Sequence, residues 1–192
     1  MSSPHSTFTF GALAVVVALA GCASPNAASP PGQAGPMGKM GTMSGRMAMA
    51  SLTPTAGSPV RGMVMFHEMD GHLMVHARIS GLKPDAEHGF HVHEVGSCAS
   101  ADGTSAGGHF NPSGAPHGPQ TSAHHAGDLP ALKADAKGFA DQKFMLTELT
   151  VAEGLASVVG RAVIVHAQAD DYTTQPTGNS GPRIACGVIA AP

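Results

Sequence analysis

Seven side chains able to ligate a metal recur along the middle of the sequence, and the densest stretch is GFHVHEVGSC, Gly89 to Cys98. On an extended strand successive side chains face opposite ways, so Phe90 and Val92 would enter a core while His91 and His93 present two imidazoles on the other face. A His-x-His pair alone is weak, because such pairs often reflect surface composition. It gains weight from five donors further along the chain: His109, His117, His125, Asp128 and His166, all near glycine or proline and none inside a long apolar run. Added to the first two, they are enough for two metals bound through nitrogen and oxygen.

These donors need a scaffold, and composition bounds it. A chain of 192 residues holds one domain of ordinary size plus an N-terminal segment. Tryptophan is absent and aromatics make up 4%, so Val, Ala, Leu, Ile and Met must build the core. With Gly 25 and Pro 15, turns are frequent, which suits an all-β architecture. Twelve histidines against 10 Lys plus Arg is a high ratio, and histidine is the commonest metal ligand. Residues 1–55 hold Lys39 and Arg46 and no acid, so the rest sets 8 bases (10 less these two) against all 13 acids. No basic patch points to nucleic acid.

The run from Phe10 to Gly21 is apolar but only about half the ~20 residues that span a bilayer. It ends in Leu19-Ala20-Gly21-Cys22, which resembles a bacterial lipoprotein signal: residues 1–21 removed, and Cys22 lipidated and tethered to a membrane. The usual Lys or Arg ahead of the apolar run is missing, leaving His5 and the amino terminus to supply charge. The expected location is the bacterial envelope, at the periplasm or the cell surface. Residues 22–59 read as a flexible linker too poor in apolar surface to fold. Within it Met37, Met40, Met43, Met47 and Met49 offer soft thioethers for Cu(I). A plain spacer is the preferred account of them.

Beyond residue 60, Val60–Phe66 and Leu73–Ile79 read as strands joined by a turn at Met69-Asp70-Gly71. His67, His72 and His76 have no partner at ligand spacing and read as surface or structural groups. The His91 strand is followed by a long loop, Gly96 to His125, of a length usually kept for function. Gly127–Lys133 and Phe139–Leu146 are expected to form a hairpin about Asp135–Gly138. Arg161–His166 is a further strand, 167–182 a second long loop, and Ile184–Ile189 the closing strand. Such spacing without amphipathic helices argues for a sandwich or barrel. With Cys22 lipidated, Cys98 and Cys186 remain as an even pair in an oxidising compartment. They are either bonded, which would pin the long loop to the last strand, or two buried free thiols.

Six segments in order, GFHVHEVGSC, GGHFNP, HGP, HHAGDL, GRAVIVHAQADD and GNSGPRIACGVI, closely resemble the copper/zinc superoxide dismutase family over Val60 to Ala190. The resemblance implies a Greek-key, immunoglobulin-like β-sandwich or flattened barrel with long metal-binding loops. It implies copper on His91, His93, His109 and His166, and zinc on His109, His117, His125 and Asp128, so that His109 bridges the two. The family's His-x-Gly-Asp spacing selects His125 over its neighbour His124. Asp170 matches an aspartate linking a copper histidine to a zinc histidine, His88 a structural histidine, and Cys98–Cys186 the family disulfide. Arg183 matches the arginine that positions the anion beside copper. The implied reaction is dismutation of superoxide to oxygen and hydrogen peroxide, with copper cycling between Cu(II) and Cu(I) and His109 carrying a proton.

Family members often place lysines in the two long loops to steer superoxide. Here 97–108 contains Asp102 and no lysine, and 167–182 has none either. Steering would rest on Arg183 and the metals. A competing expectation is a non-catalytic copper-binding or copper-storing surface lipoprotein on the same fold, which should lack a copper ligand or the arginine. A zinc hydrolase is disfavoured, because a closed zinc set leaves no general base beside an open position. Oligomeric state is not legible, and a homodimer is one state open to the chain.

Overall fold

Strict alternation of inward and outward side chains shapes the sheet. In the strand His72–Ser80, Leu73, Val75, Ala77 and Ile79 are buried while the residues between them are not. The computed structural model describes residues 45–55 and 57–192. The segment 1–21, Cys22, Met37, Met40 and Met43 lie outside the described residues. In chain order the strands are β1 (Met47–Pro54), β2 (Arg61–Met69), β3 (His72–Ser80), β4 (Glu87–His88), β5 (Phe90–His93), β6 (Leu132–Lys133), β7 (Ala140–Leu146), β8 (Ala162–His166) and β9 (Arg183–Val188). One turn of 3-10 helix, Thr104–Ala106, is the only helical element among the described residues.

Seven strands form one curled antiparallel sheet in the order β5-β8-β9-β1-β2-β3-β7, and β4 pairs with β6 apart from it. Because β3 lies beside β7, and β5 beside β8, the β3-to-β5 and β7-to-β8 connections cross between the two halves. This is the expected all-β Greek-key arrangement. The β2–β3 turn is made by Asp70 (φ 48°) and Gly71 (φ 79°), the left-handed pair that a two-residue hairpin requires. The halves enclose one core, in which Val64, Phe66, Val75 and Ala77 pack with Phe90, Val92, Val163 and Val165. Fully burying a side chain such as Phe66 or Phe90 contributes about 1.5–3 kcal/mol.

Two expectations are corrected. Residues 22–59 are not linker throughout, since Met47–Pro54 is a strand of the sheet. Met47–Leu52 pairs with β2, Thr53 and Pro54 pair with β9, and Ala48, Ala50 and Leu52 are buried. Thus Met47 and Met49 sit on a strand. Nor do Gly127–Lys133 and Phe139–Leu146 form a ladder. Only Leu132–Lys133 is strand, and it pairs with β4, while β7 pairs with β3. The backbone at 127–129 is already committed elsewhere, because Gly127 N donates to Phe110 O (2.8 Å) and Leu129 N to Phe90 O (3.1 Å).

Candidate metal centre

β5 puts His91 and His93 on the face away from the core, and β8 puts His166 beside them through the pairing of Phe90–His93 with Ala162–Val165. The outer edge of β5 is completed by residues 108–110 of the long loop and by residues 127–129 just after it. Glu94 N donates to Gly108 O (2.9 Å), Phe110 N to Val92 O (2.8 Å) and Val92 N to Gly127 O (2.8 Å). His93 is thereby bridged to His109 and His91 to Asp128. Gly127 must be glycine, since a Cβ there would meet Val92 O at 2.2 Å. His109 and Asp128 are thus fixed by strand-type hydrogen bonds rather than left on a free loop.

The geometry yields two four-residue groups, His91–His93–His109–His166 and His109–His117–His125–Asp128, all buried and each with donor atoms within 4.8 Å of one another. The two share His109. Its Nδ1 lies 2.8 Å from Asp128 Oδ1 and 3.4 Å from His125 Nδ1, within the second group, which leaves Nε2 for the first. His117 Nδ1 lies 3.0 Å from Asp128 Oδ2. Among the described residues six buried ring nitrogens make no hydrogen bond. Five belong to these groups, His91 Nδ1, His93 Nε2, His109 Nε2, His117 Nδ1 (whose contact with Asp128 is not aligned as one) and His166 Nε2, and the sixth is His88 Nε2 outside them. Buried polar atoms are ordinarily satisfied, and converging orphans of this kind fit bound metal ions.

The opposite nitrogen of each ring is tied. His91 Nε2 meets Asp170 Oδ2 (2.7 Å), His93 Nδ1 donates to Gly107 O (2.9 Å), and His166 Nδ1 donates to Gly181 O (3.0 Å). Asp170 Oδ1 takes His117 Nε2 at 2.7 Å, so one carboxylate spans both groups. Such contacts set tautomer and ring orientation. Burial lowers His91 and His93 well below the ordinary imidazole value and brings His166 to about 4. The rings are therefore neutral, the form that ligates. Burial pushes Asp128 up, but hydrogen bonding to His109 and the surrounding imidazoles outweigh it and hold the carboxylate at about 2.

Arg183, half-buried at the start of β9, donates from Nη1 to Gly103 O and from Nη2 to Gly107 O, both at 2.7 Å. Gly107 O also accepts from His93, which couples the guanidinium to one of the clustered imidazoles. A cavity of about 300 Å³ opens here, lined by Asp102, Thr104, Gly181, Pro182 and Arg183. The loop below it is pinned by the Cys98–Cys186 disulfide, 88 residues apart in sequence, which rests on a small cluster of Ala106, Ala162 and Ile164.

His124 stays outside both groups, with Nδ1 donating to Ser122 O and Nε2 3.4 Å from Glu148. His88 donates from Nδ1 to the His166 carbonyl (2.8 Å). His76 bonds Asp141 at 2.6 Å. Sequence reasoning missed Gln175, which brackets His117 by accepting from its N–H and donating to its carbonyl, both at 2.8 Å. It also missed Gly178 (φ 63°), where a Cβ would lie 1.8 Å from Asp170 Oδ1 and 2.4 Å from His117 Nε2. No spacing marks a glutamine of this kind. The Gly178 signal was a glycine in the loop bearing Asp170, but it was one of many.

The model of the copper/zinc superoxide dismutase (SODC) family matches residues 60–189. A Cu-Zn superoxide dismutase of Paramecium bursaria Chlorella virus 1 is 43% identical over 139 residues, 68% of this chain and 73% of its own length. Superoxide dismutase [Cu-Zn] 2 of Aquifex aeolicus is 38% identical over 147 residues, 74% of this chain and 85% of its own. Among solved structures, a double mutant of a superoxide dismutase-like protein from Bacillus subtilis superposes with a TM-score of 0.68 at 41% identity. It covers 74% of this chain and 97% of that one. With the paired groups, the disulfide and the match over 60–189 in agreement, the chain belongs to the copper/zinc superoxide dismutase family.

Proposed function

We propose that the chain dismutates superoxide at a copper centre formed by His91, His93, His109 and His166, next to a zinc formed by His109, His117, His125 and Asp128. The observation that carries this is the sharing of His109 between two buried groups, with all four inward nitrogens of the first and His117 Nδ1 of the second making no hydrogen bond. Copper held there would supply one-electron redox chemistry, and zinc a fixed positive charge.

The chain's own groups do the rest. Arg183, clamped by two carbonyls, offers a positive charge to the anion entering the cavity and cannot swing away from it. His109 Nε2 is the atom that carries a proton toward peroxide, while Nδ1 stays against Asp128. Asp170 holds His91 and His117 in orientation through both half-reactions. Two superoxide anions and two protons become one oxygen and one hydrogen peroxide. A copper-storing role without catalysis is disfavoured, because all four copper-set histidines and Arg183 are present.

Metal analysis with a superoxide-decay assay tests this, comparing wild type with Arg183→Ala and His109→Ala. Copper-loaded wild type should destroy superoxide, Arg183→Ala should keep its metals and lose most of the rate, and His109→Ala should lose both. Metal-loaded wild type without activity overturns the reading. The chain is further proposed to be lipidated on Cys22 and held in the bacterial envelope, as Leu19-Ala20-Gly21-Cys22 suggests. A Cys22→Ala variant should then leave the membrane fraction for the soluble one.

A further inference from the structure

The outward face of β1, β2, β3 and β7 carries seven methionines, and the strand register lays them out in rows. Across one row run Met47, His67, Met74 and Met145; across the next, Met49, Met65, His76 and Lys143; Met63 lies on β2 in the third, beside Arg78 and Asp141, and Met69 pairs with His72 at the turn end of β2. Four of the seven are large apolar side chains left open to solvent, at 42–52% exposure: Met47, Met49, Met63 and Met145. Single exposed apolar residues are ordinary, but seven thioethers grouped on one sheet face are not.

Side chains directly opposite across antiparallel strands have Cβ atoms about 4.5–5.5 Å apart. Each methionine adds three rotatable bonds beyond that, so Met47 and Met74 can close over the His67 ring between them. Thioether and imidazole are the donors that suit Cu(I), and the first row has no carboxylate to favour a hard cation. The second-row imidazole is engaged, since His76 bonds Asp141 at 2.6 Å, which leaves His67 as the nitrogen donor.

We propose that Met47, His67 and Met74, backed by Met49, Met65 and Met145, form a surface site for a soft monovalent ion, Cu(I). It lies across the core from the buried centre. The inward residues of β2 and β3 pack against Phe90, Val92, Val163 and Val165, whereas His91, His93 and His166 lie on the far side of β5 and β8. The two sites share no residue, so this one stands whether or not the chain dismutates superoxide.

The test uses the full chain with its buried groups already loaded with copper and zinc. Ag(I), a redox-silent mimic of Cu(I), is titrated against a competing chelator while the methionine methyl resonances are followed. Wild type should bind further Ag(I), with the Met47 and Met74 methyls shifting. Met47→Leu/Met74→Leu, a nearly volume-conserving change, should weaken that binding by about tenfold or more with dismutase rate unchanged. Met37→Leu/Met40→Leu/Met43→Leu should retain it. The proposal is overturned if the Met47/Met74 variant binds like wild type, or if binding depends on Met37, Met40 and Met43. It is equally overturned if the leucine variant changes only the oligomeric state, which would make this face an apolar interface between two copies.

Discussion

Arg183 is positioned by acceptors rather than by an acid: both arms of its guanidinium end on main-chain carbonyls, of Gly103 and Gly107. A lysine keeps the charge but loses the planar two-armed anchorage. Arg183→Lys should therefore retain copper and zinc yet lower kcat/KM by about tenfold or more, on the scale of losing one placed donor. Equal rates at equal metal content would show that charge alone suffices. The buried imidazoles carry a separate consequence for the metal-free protein. Burial lowers His91, His93 and His166, the last to about 4, while in the unfolded chain such rings titrate near 6.5. Between those values the unfolded state binds more protons, so stability falls as pH drops from about 6.5 to about 4 and is unaffected by these groups above that window. His166 alone would account for about 3 kcal/mol across it. Thermal unfolding of chelator-treated protein should show a falling Tm there, and a flat Tm from pH 7 to 4.5 would contradict it. Residues whose role derives from side-chain chemistry were legible in the sequence, above all the histidines and Asp128. Gly178 and Gln175 were not, because one acts by lacking a Cβ and the other through backbone hydrogen bonds.

The elements that place these residues owe their order to two long-range ties. The Cys98–Cys186 bond closes an 88-residue separation, worth about 4.6 kcal/mol on the chain-entropy model. It also holds the loop from which Gly103 and Gly107 brace Arg183. Cys98→Ser/Cys186→Ser should thus lower Tm markedly and, at matched metal content, lower activity as well. A large Tm loss with full activity would mean that the loop is held without the bond. The second tie is β1, which joins β2 to β9. It escaped the sequence reading because both phases of Met47-Ala48-Met49-Ala50 are apolar, so the alternation that marks a half-buried strand does not show as hydrophobic against polar. Gly- and Pro-rich flanks reinforced the linker interpretation. A chain beginning at residue 60 removes buried Ala48, Ala50 and Leu52 and exposes the edges of β2 and β9. It should fail to give a cooperative unfolding transition, whereas one beginning at residue 45 should unfold cooperatively. The hairpin expected between Gly127–Lys133 and β7 failed for a related reason. Period and turn chemistry were right locally, but the completion of the β5 edge by 127–129 is a tertiary demand that local pattern does not express.

Across the whole molecule, the substrate is an anion approaching a chain of formal charge −3, and neither long loop offers a lysine. The side chains lining the 300 Å³ cavity include one cation, Arg183, and one acid, Asp102. Attraction by Arg183 and bound metals is thus opposed at the mouth, and a site with little net long-range field gains little from low salt. The Debye length shrinks from about 30 Å at 0.01 M to about 8 Å at 0.15 M, so strongly steered association should slow steeply over that range. This chain's kcat/KM should fall only slightly. Asp102→Lys reverses the charge at the mouth while Arg183 and all metal-group residues stay in place. It should raise kcat/KM at low ionic strength by several-fold, on the order of the smaller steering effects, and should steepen the salt dependence so that the two proteins converge at high salt. Because Asp102 also accepts from the Thr104 N–H (3.0 Å) and hydroxyl (2.7 Å), Asp102→Asn serves as the control that keeps an acceptor for the turn without the charge. It should fall between the two in both rate and slope. A wild-type rate that drops about tenfold over this range, or an Asp102→Lys variant with wild-type slope, would place the steering field somewhere other than this mouth.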